Sequence, residues 1–218
     1  MTKYKSVLFD LDGTLADTSL GITNCHRYTL QQMGKSLPSD KVLYEVIGAP
    51  LMETYRTRFG FDSVNAKIAV DIYRKHYEEI GIYQASLYDG MEDILGRLSQ
   101  RGYIMGVATL KKEEFAVQIL KQLGIAQYFD TIKGMDGLDH LTKKDIIIRC
   151  LNELNVSKNQ VILVGDSHFD SMGAMEAGID FIGVTYGFGF KSKQEVYGSN
   201  AAYAIDRPEE LDDFLGSN

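Results

Sequence analysis

From residue 89 onward the chain alternates short apolar runs with amphipathic helical stretches, and that alternation leaves few folds open to it. Ile94, Leu95 and Leu98 mark a helix that ends at Gly102, and residues 103–108 read as a strand. Phe115, Ile119, Leu120 and Leu123 mark the next helix, stopped by Gly124, with a weak strand at 131–133. A helix over 143–154, a strand at 161–164, a short helix at 171–177 and a strand at 181–184 follow. Residues 201–205 read as a last edge strand, and 208–215 as a closing helix with Pro208 in its first turn. Strands joined by short helical crossovers form a parallel sheet. Their runs are apolar throughout, as in sheets covered by helices on both faces. The expected fold class is therefore α/β.

The first strand precedes all of this. In Ser6-Val7-Leu8-Phe9-Asp10-Leu11-Asp12-Gly13-Thr14-Leu15 an apolar run ends in aspartates two residues apart. A strand there puts Asp10 at its C-terminal end, where open α/β sheets keep their binding crevice. Two carboxylates in that place repel each other unless a cation or a proton is shared between them. Taken alone, the stretch also fits a strand ending in an Asp-Gly turn.

Residues 16–83 hold four helical patterns in succession and no convincing strand. One is capped by Asp17, Thr18 or Ser19 and runs to about Met33, with Ile22, Cys25, Thr29 and Met33 as its buried stripe. A short helix starts at Ser39-Asp40 and ends at Gly48, and a third covers 51–59. The fourth starts near Asp62-Ser63 and is expected to bury Val64, Ile68, Ile72, His76 and Ile80. Two domains are thus expected: residues 1–15 with 84–218 as an α/β core, and 16–83 as a helical insertion.

A formal net charge of −7 argues against nucleic acid or an anionic membrane as the main partner. Cys25 and Cys150 are far apart, lack metal-ligand spacing, and read as small core residues of a protein from a reducing compartment. No apolar run reaches membrane-spanning length. The expectation is a soluble cytoplasmic protein, a monomer or weak homo-oligomer.

Four stretches end a strand or open the element after it, so all can meet at one sheet edge. They are Asp10-Leu11-Asp12-Gly13-Thr14, Val107-Ala108-Thr109-Leu110-Lys111, Lys143-Lys144, and Val164-Gly165-Asp166-Ser167-His168-Phe169-Asp170. Acidic strand ends, a hydroxyl and a lysine make a place for a divalent cation and a phosphoryl group. Carboxylate oxygens suit Mg²⁺, which accepts a substrate phosphate oxygen as a further ligand. Together these stretches, in this order around a helical insertion, resemble the haloacid dehalogenase-like hydrolase superfamily. Gly21-Ile22 and Ile47-Gly48-Ala49-Pro50-Leu51 are most similar to its phosphoglycolate phosphatase-like subgroup.

The resemblance implies a Rossmann-like core with a mobile four-helix cap, and a Mg²⁺-dependent phosphatase acting on a small phosphorylated metabolite. It implies that Asp10 is the nucleophile, forming an aspartyl-phosphate, and that Asp12 is the acid and base. The metal would be held by Asp10, the main-chain carbonyl of Asp12 and Asp166. For Asp170 two readings stay open, a role close to the metal or a helix cap. Thr109 and the Leu110 amide would donate to the phosphoryl group, Gly13 would shape its loop, and Gly48 would border the substrate from the cap. For the phosphate-binding lysine, about 100° per residue places Lys143 on the stripe of Ile146, Ile147, Cys150, Leu151 and Leu154, and Lys144 to one side. Lys143 is the expected residue. His168 reads as a solvent-facing loop residue, and Tyr186-Gly187-Phe188-Gly189 as a turn or loop. A sugar phosphomutase and a non-enzymatic phosphate-binding protein are the rival functions.

Overall fold

The computed structural model describes residues 3–136 and 140–216. Its main sheet has six parallel strands in the order β5-β4-β1-β6-β7-β8: β1 (Ser6–Phe9), β4 (Ile104–Lys112), β5 (Thr131–Met135), β6 (Val161–Gly165), β7 (Asp180–Val184) and β8 (Tyr203–Ile205). Strand β1 lies between β4 and β6, and Phe9 is in register with both Val107 and Val164. The residues that follow these three strands therefore leave the sheet at one edge. The chain builds outward from β1 through β4 to β5, then crosses to β6 and continues through β7 to β8. That reversal of direction beside β1 is where open α/β sheets place their ligands.

Residues of both parities along the strands are buried: Val7, Leu8 and Phe9 in β1, and Ile162, Leu163 and Val164 in β6, none more than 1% exposed. On one face Leu8, Ala108, Leu163 and Phe181 pack with Ile146, Ile147 and Cys150 of α7 (Lys143–Leu154) and Ala174 of α8 (His168–Ala177). Helices α5 (Met91–Gln100) and α6 (Glu113–Gln122) lie on the crossovers into β4 and β5, α10 (Glu210–Gly216) follows β8, and α9 (Lys193–Gly198), between β7 and β8, is a short helix absent from the sequence expectation. Strand β4 runs four residues past its expected end at Ala108, with a register shift against β5 between Ala108 and Lys112. Helix α8 starts three residues early, so His168 is its first residue and not a loop residue. Pro208 precedes α10 in a turn.

Contact density divides the chain into Met1–Asp17 with Ser86–Asn218, and Thr18–Ala85. Each crossing falls two residues later than the sequence expectation, because β2 (Ala16–Asp17) and β3 (Ser86–Leu87) pair as an antiparallel ribbon. Asp17 belongs to that ribbon, and Thr18 holds the N-cap position of the next helix, without a side-chain capping bond. The second unit consists of α1 (Ser19–Gln32), α2 (Asp40–Tyr44), α3 (Leu51–Glu53) continued by a π-helical turn Thr54–Arg58, and α4 (Ser63–Glu79).

The expected stripe of α4 is wrong. Val64 is 71% exposed and Ile68 and Ile80 are each 46% exposed, whereas Ala66, Ala69, Val70, Tyr73 and Tyr77 are buried. Steps of four residues advance about 40° each, so 64 to 80 sweep about 160° of the helix and cannot share one face. The observed set stays within about 100°, and its two tyrosine rings stack 5.8 Å apart. Among the described residues no helix is long and apolar enough to cross a membrane.

Candidate active site

Asp10 follows β1 directly, and its backbone N–H donates to Val164 O across the sheet at 2.9 Å. Its carboxylate meets a lysine delivered by α7. Thr142 and Asp145 close a reciprocal capping box at the start of that helix, fixing its first turn. Lys143 is then buried and Lys144 exposed. Lys143 Nζ donates to Asp10 Oδ1 at 2.7 Å and pairs with Asp170 Oδ1 at 2.6 Å. Gly173 makes room for this lysine, since a Cβ there would lie 2.5 Å from Lys143 Cγ.

Asp170 divides its two oxygens. Oδ2 accepts from the Ser167 N–H at 3.0 Å and the Ser167 hydroxyl at 2.6 Å, capping α8, while Oδ1 faces Lys143. The helix cap is thus one half of its geometry and the ion pair the other.

Asp166 leaves β6 and is oriented by main chain. Its Oδ2 accepts from the N–H groups of Phe188 and Gly189 at 2.6 and 3.0 Å. Gly13, at φ 81°, and Gly187 stand against the same carboxylate, and a Cβ at either position would fall within 2.5 Å of it. From sequence, Tyr186-Gly187-Phe188-Gly189 reads only as a turn or loop, because backbone donors carry no side-chain signature.

Oxygens of Asp10, Asp166 and Asp170 lie within 4.8 Å of one another, all three residues buried. Burial, then repulsion from Asp170 and Asp10, pushes Asp166 up to about 8. Burial also raises Asp10, to about 6, against the pull of Lys143. Burial by itself would lower Lys143, but the two carboxylates outweigh it and hold the ammonium above its ordinary value. Three crowded carboxylates and one ammonium leave an excess of negative charge in a low-dielectric place. An all-oxygen set of this kind fits a hard divalent cation.

The carboxylate of Asp12 lies on Lys111, whose Nζ donates to both of its oxygens. Lys111 is the residue that sequence reasoning passed over. Thr109 is 1% exposed, and its Oγ1 accepts from the Lys111 N–H at 3.2 Å. Leu110 packs against the hydrophobic core. Gly48 belongs to the helical unit, at φ 81° with open space around its Cα.

The profile of haloacid dehalogenase-like hydrolases matches residues 7–184. A curated 5'-nucleotidase of Pseudomonas aeruginosa is 34% identical over 189 residues, covering 86% of this chain and 85% of that protein. Tyrosine-protein kinase PtkA of Mycobacterium tuberculosis is 36% identical over 185 residues, 84% of this chain but 62% of that protein. The crystal structure of a predicted phosphatase from Clostridium acetobutylicum superposes with a TM-score of 0.92 at 35% identity, covering 99% of both chains. A parallel sheet ending in an Asp10–Asp166–Asp170 cluster, a profile match over most of the chain and these relatives agree: the chain belongs to the haloacid dehalogenase-like hydrolases.

Proposed function

We propose that this protein is a Mg²⁺-dependent phosphatase that hydrolyses a small phosphate monoester through an aspartyl-phosphate on Asp10. The observation that carries the reading is Asp10 itself, a buried carboxylate held by Lys143 within a cluster of three acids. Asp10 attacks phosphorus in line, so that the P–O bond to the nucleophile forms as the bond to the ester oxygen breaks. Asp12 gives its proton to the departing alkoxide. It then takes a proton from water, whose oxygen attacks the phosphoenzyme, releasing phosphate and restoring Asp10. Thr109, the Leu110 amide and Lys143 stabilise the phosphoryl oxygens. Asp10, Asp166 and the Asp12 main-chain carbonyl would hold the Mg²⁺, which would supply charge neutralisation there. The substrate is phosphoglycolate-like, or a nucleotide or pyrophosphate, and residues near Gly48 in the helical cap help select it.

The test is a screen of phosphorylated metabolites for inorganic phosphate release, with Mg²⁺ and with EDTA. Release that needs Mg²⁺ and disappears in Asp10→Asn is the expected result. An isomerised sugar phosphate with no free phosphate means a mutase, and full activity in Asp10→Asn removes the nucleophile assignment.

A further inference from the structure

The two lysines at the sheet edge have divided duties. Lys143 serves Asp10 and Asp170; Lys111 serves Asp12. Lys111 Nζ reaches Asp12 Oδ1 at 2.9 Å and Oδ2 at 3.0 Å, with the side chains only 8% and 9% exposed. Neighbouring lysines differ: Lys112 pairs with Glu114, whose side chain is 76% exposed, and Lys133 with Glu153, 48% exposed. A surface pair of that kind holds neither partner firmly. An ammonium buried within reach of both oxygens holds the carboxylate in place, because parting them leaves each charge uncompensated. The backbone prepares the grip. Strand β4 passes Ala108 into its register shift, and the Lys111 N–H is tied to the Thr109 hydroxyl.

We infer that Lys111 is the positioning residue for Asp12: one oxygen stays on the ammonium while the other turns from it to carry the proton, which goes to the leaving oxygen and is then taken back from the attacking water. The inference rests on the phosphatase reading above. It also makes the effect of Lys111 depend on the leaving group. An alkoxide cannot depart without the proton from Asp12, whereas p-nitrophenolate departs without one. Hydrolysis of the phosphoenzyme needs Asp12 whichever ester formed it.

The experiment compares the wild type with Lys111→Gln, Lys111→Arg, Asp12→Asn and the double variant, using p-nitrophenyl phosphate and glycerol 2-phosphate with Mg²⁺. Stopped flow reads the p-nitrophenolate burst, and acid-quenched intact mass reads the phosphoenzyme. Lys111→Gln is expected to keep a burst of about one per site at a rate within a few-fold of wild type. Its later turnover falls on the order of 100-fold, as does kcat/KM for glycerol 2-phosphate, the scale of loss for a misaimed catalytic group. Lys111→Arg recovers most of this loss. Added to Asp12→Asn, Lys111→Gln costs nothing more, because there is no acid left to aim. That comparison remains readable if Lys111→Gln alone fails to fold, since the double variant leaves no carboxylate unpaired. The inference is overturned if Lys111→Gln turns over both esters within threefold of wild type, if burst and turnover fall equally, or if the two losses multiply. Wild type that forms no phosphoenzyme and releases no phosphate from any ester overturns the phosphatase reading itself, before any variant is made.

Discussion

Replacing Lys143 by methionine keeps most of the side-chain volume and removes one charge from between two buried acids. In the folded protein that ammonium is 2.7 Å from Asp10 and 2.6 Å from Asp170, with only 5% of its side chain exposed. Removing one partner of a buried ion pair typically costs about 3–5 kcal/mol, because the other is left uncompensated. At about 2–4 °C per kcal/mol for a chain of this size, Tm should fall by about 10 °C. The loss has a definite pH dependence. Asp10 is already raised to about 6 with the lysine in place, so without it the carboxyl holds its proton to still higher pH. A raised folded-state acid binds more protons than the unfolded chain, and stability falls as pH rises through that window. The Tm deficit of Lys143→Met in EDTA should therefore be larger at pH 8 than at pH 5. Phosphatase activity should drop by about 10²–10³, the scale of losing one charged contact to the reacting group. Lys144→Met, at an exposed position, should stay within about 0.5 kcal/mol and keep its activity. Equal losses in the two variants, or a deficit that does not widen toward pH 8, would refute the reasoning.

Two other substitutions test local packing and a buried titratable group. Gly173→Ala sits inside α8, where helix propensity alone favours alanine by about 1 kcal/mol. The added methyl meets Lys143, so the net effect should instead be destabilisation by about 1–2 kcal/mol, together with reduced activity, measured by thermal melts and phosphate release. In the helical unit His26 is buried among the rings of Tyr55, Phe59 and Tyr73, with Nδ1 3.1 Å from the Tyr55 hydroxyl. Burial lowers it from 6.5 to about 3. The unfolded chain then binds the extra proton first, so this group withdraws stability as pH falls below 6.5, by about 2 kcal/mol at pH 5. The difference in unfolding free energy between wild type and His26→Gln should shrink by that amount from pH 7 to pH 5; a constant difference would mean that His26 is charged in the fold.

The sheet was legible because its strands are apolar on both sides and stop abruptly at acids, so Asp10 and Asp166 announce themselves at their ends. Lys143 was legible because α7 has a narrow stripe on which a lysine is conspicuous. Lys111 was not. A lysine at the end of a strand is by default a solvated residue, and only the extra length of β4 with its register shift brings this one to Asp12. The Phe188 and Gly189 amides could not be found from residue types, since any residue but proline offers the same donor. The failed α4 stripe came from reading a repeat of four as a face, when on a helix it is a spiral. Tyr73 and Tyr77, apolar over most of their surface, are what that unit buries.

The surroundings of Asp166 bear on how such an enzyme could diversify. One of its oxygens is gripped by peptide amides, and two of its neighbours, Gly13 and Gly187, have no side chain at all. Nearly every single-codon change at those two positions would drive an atom into the acid, so this side of the catalytic centre offers selection nothing to adjust. New specificities must then arise where side chains are free to vary, and a mutational scan of the whole gene should show a silent wall at residues 13 and 187 beside tolerant positions elsewhere in the chain.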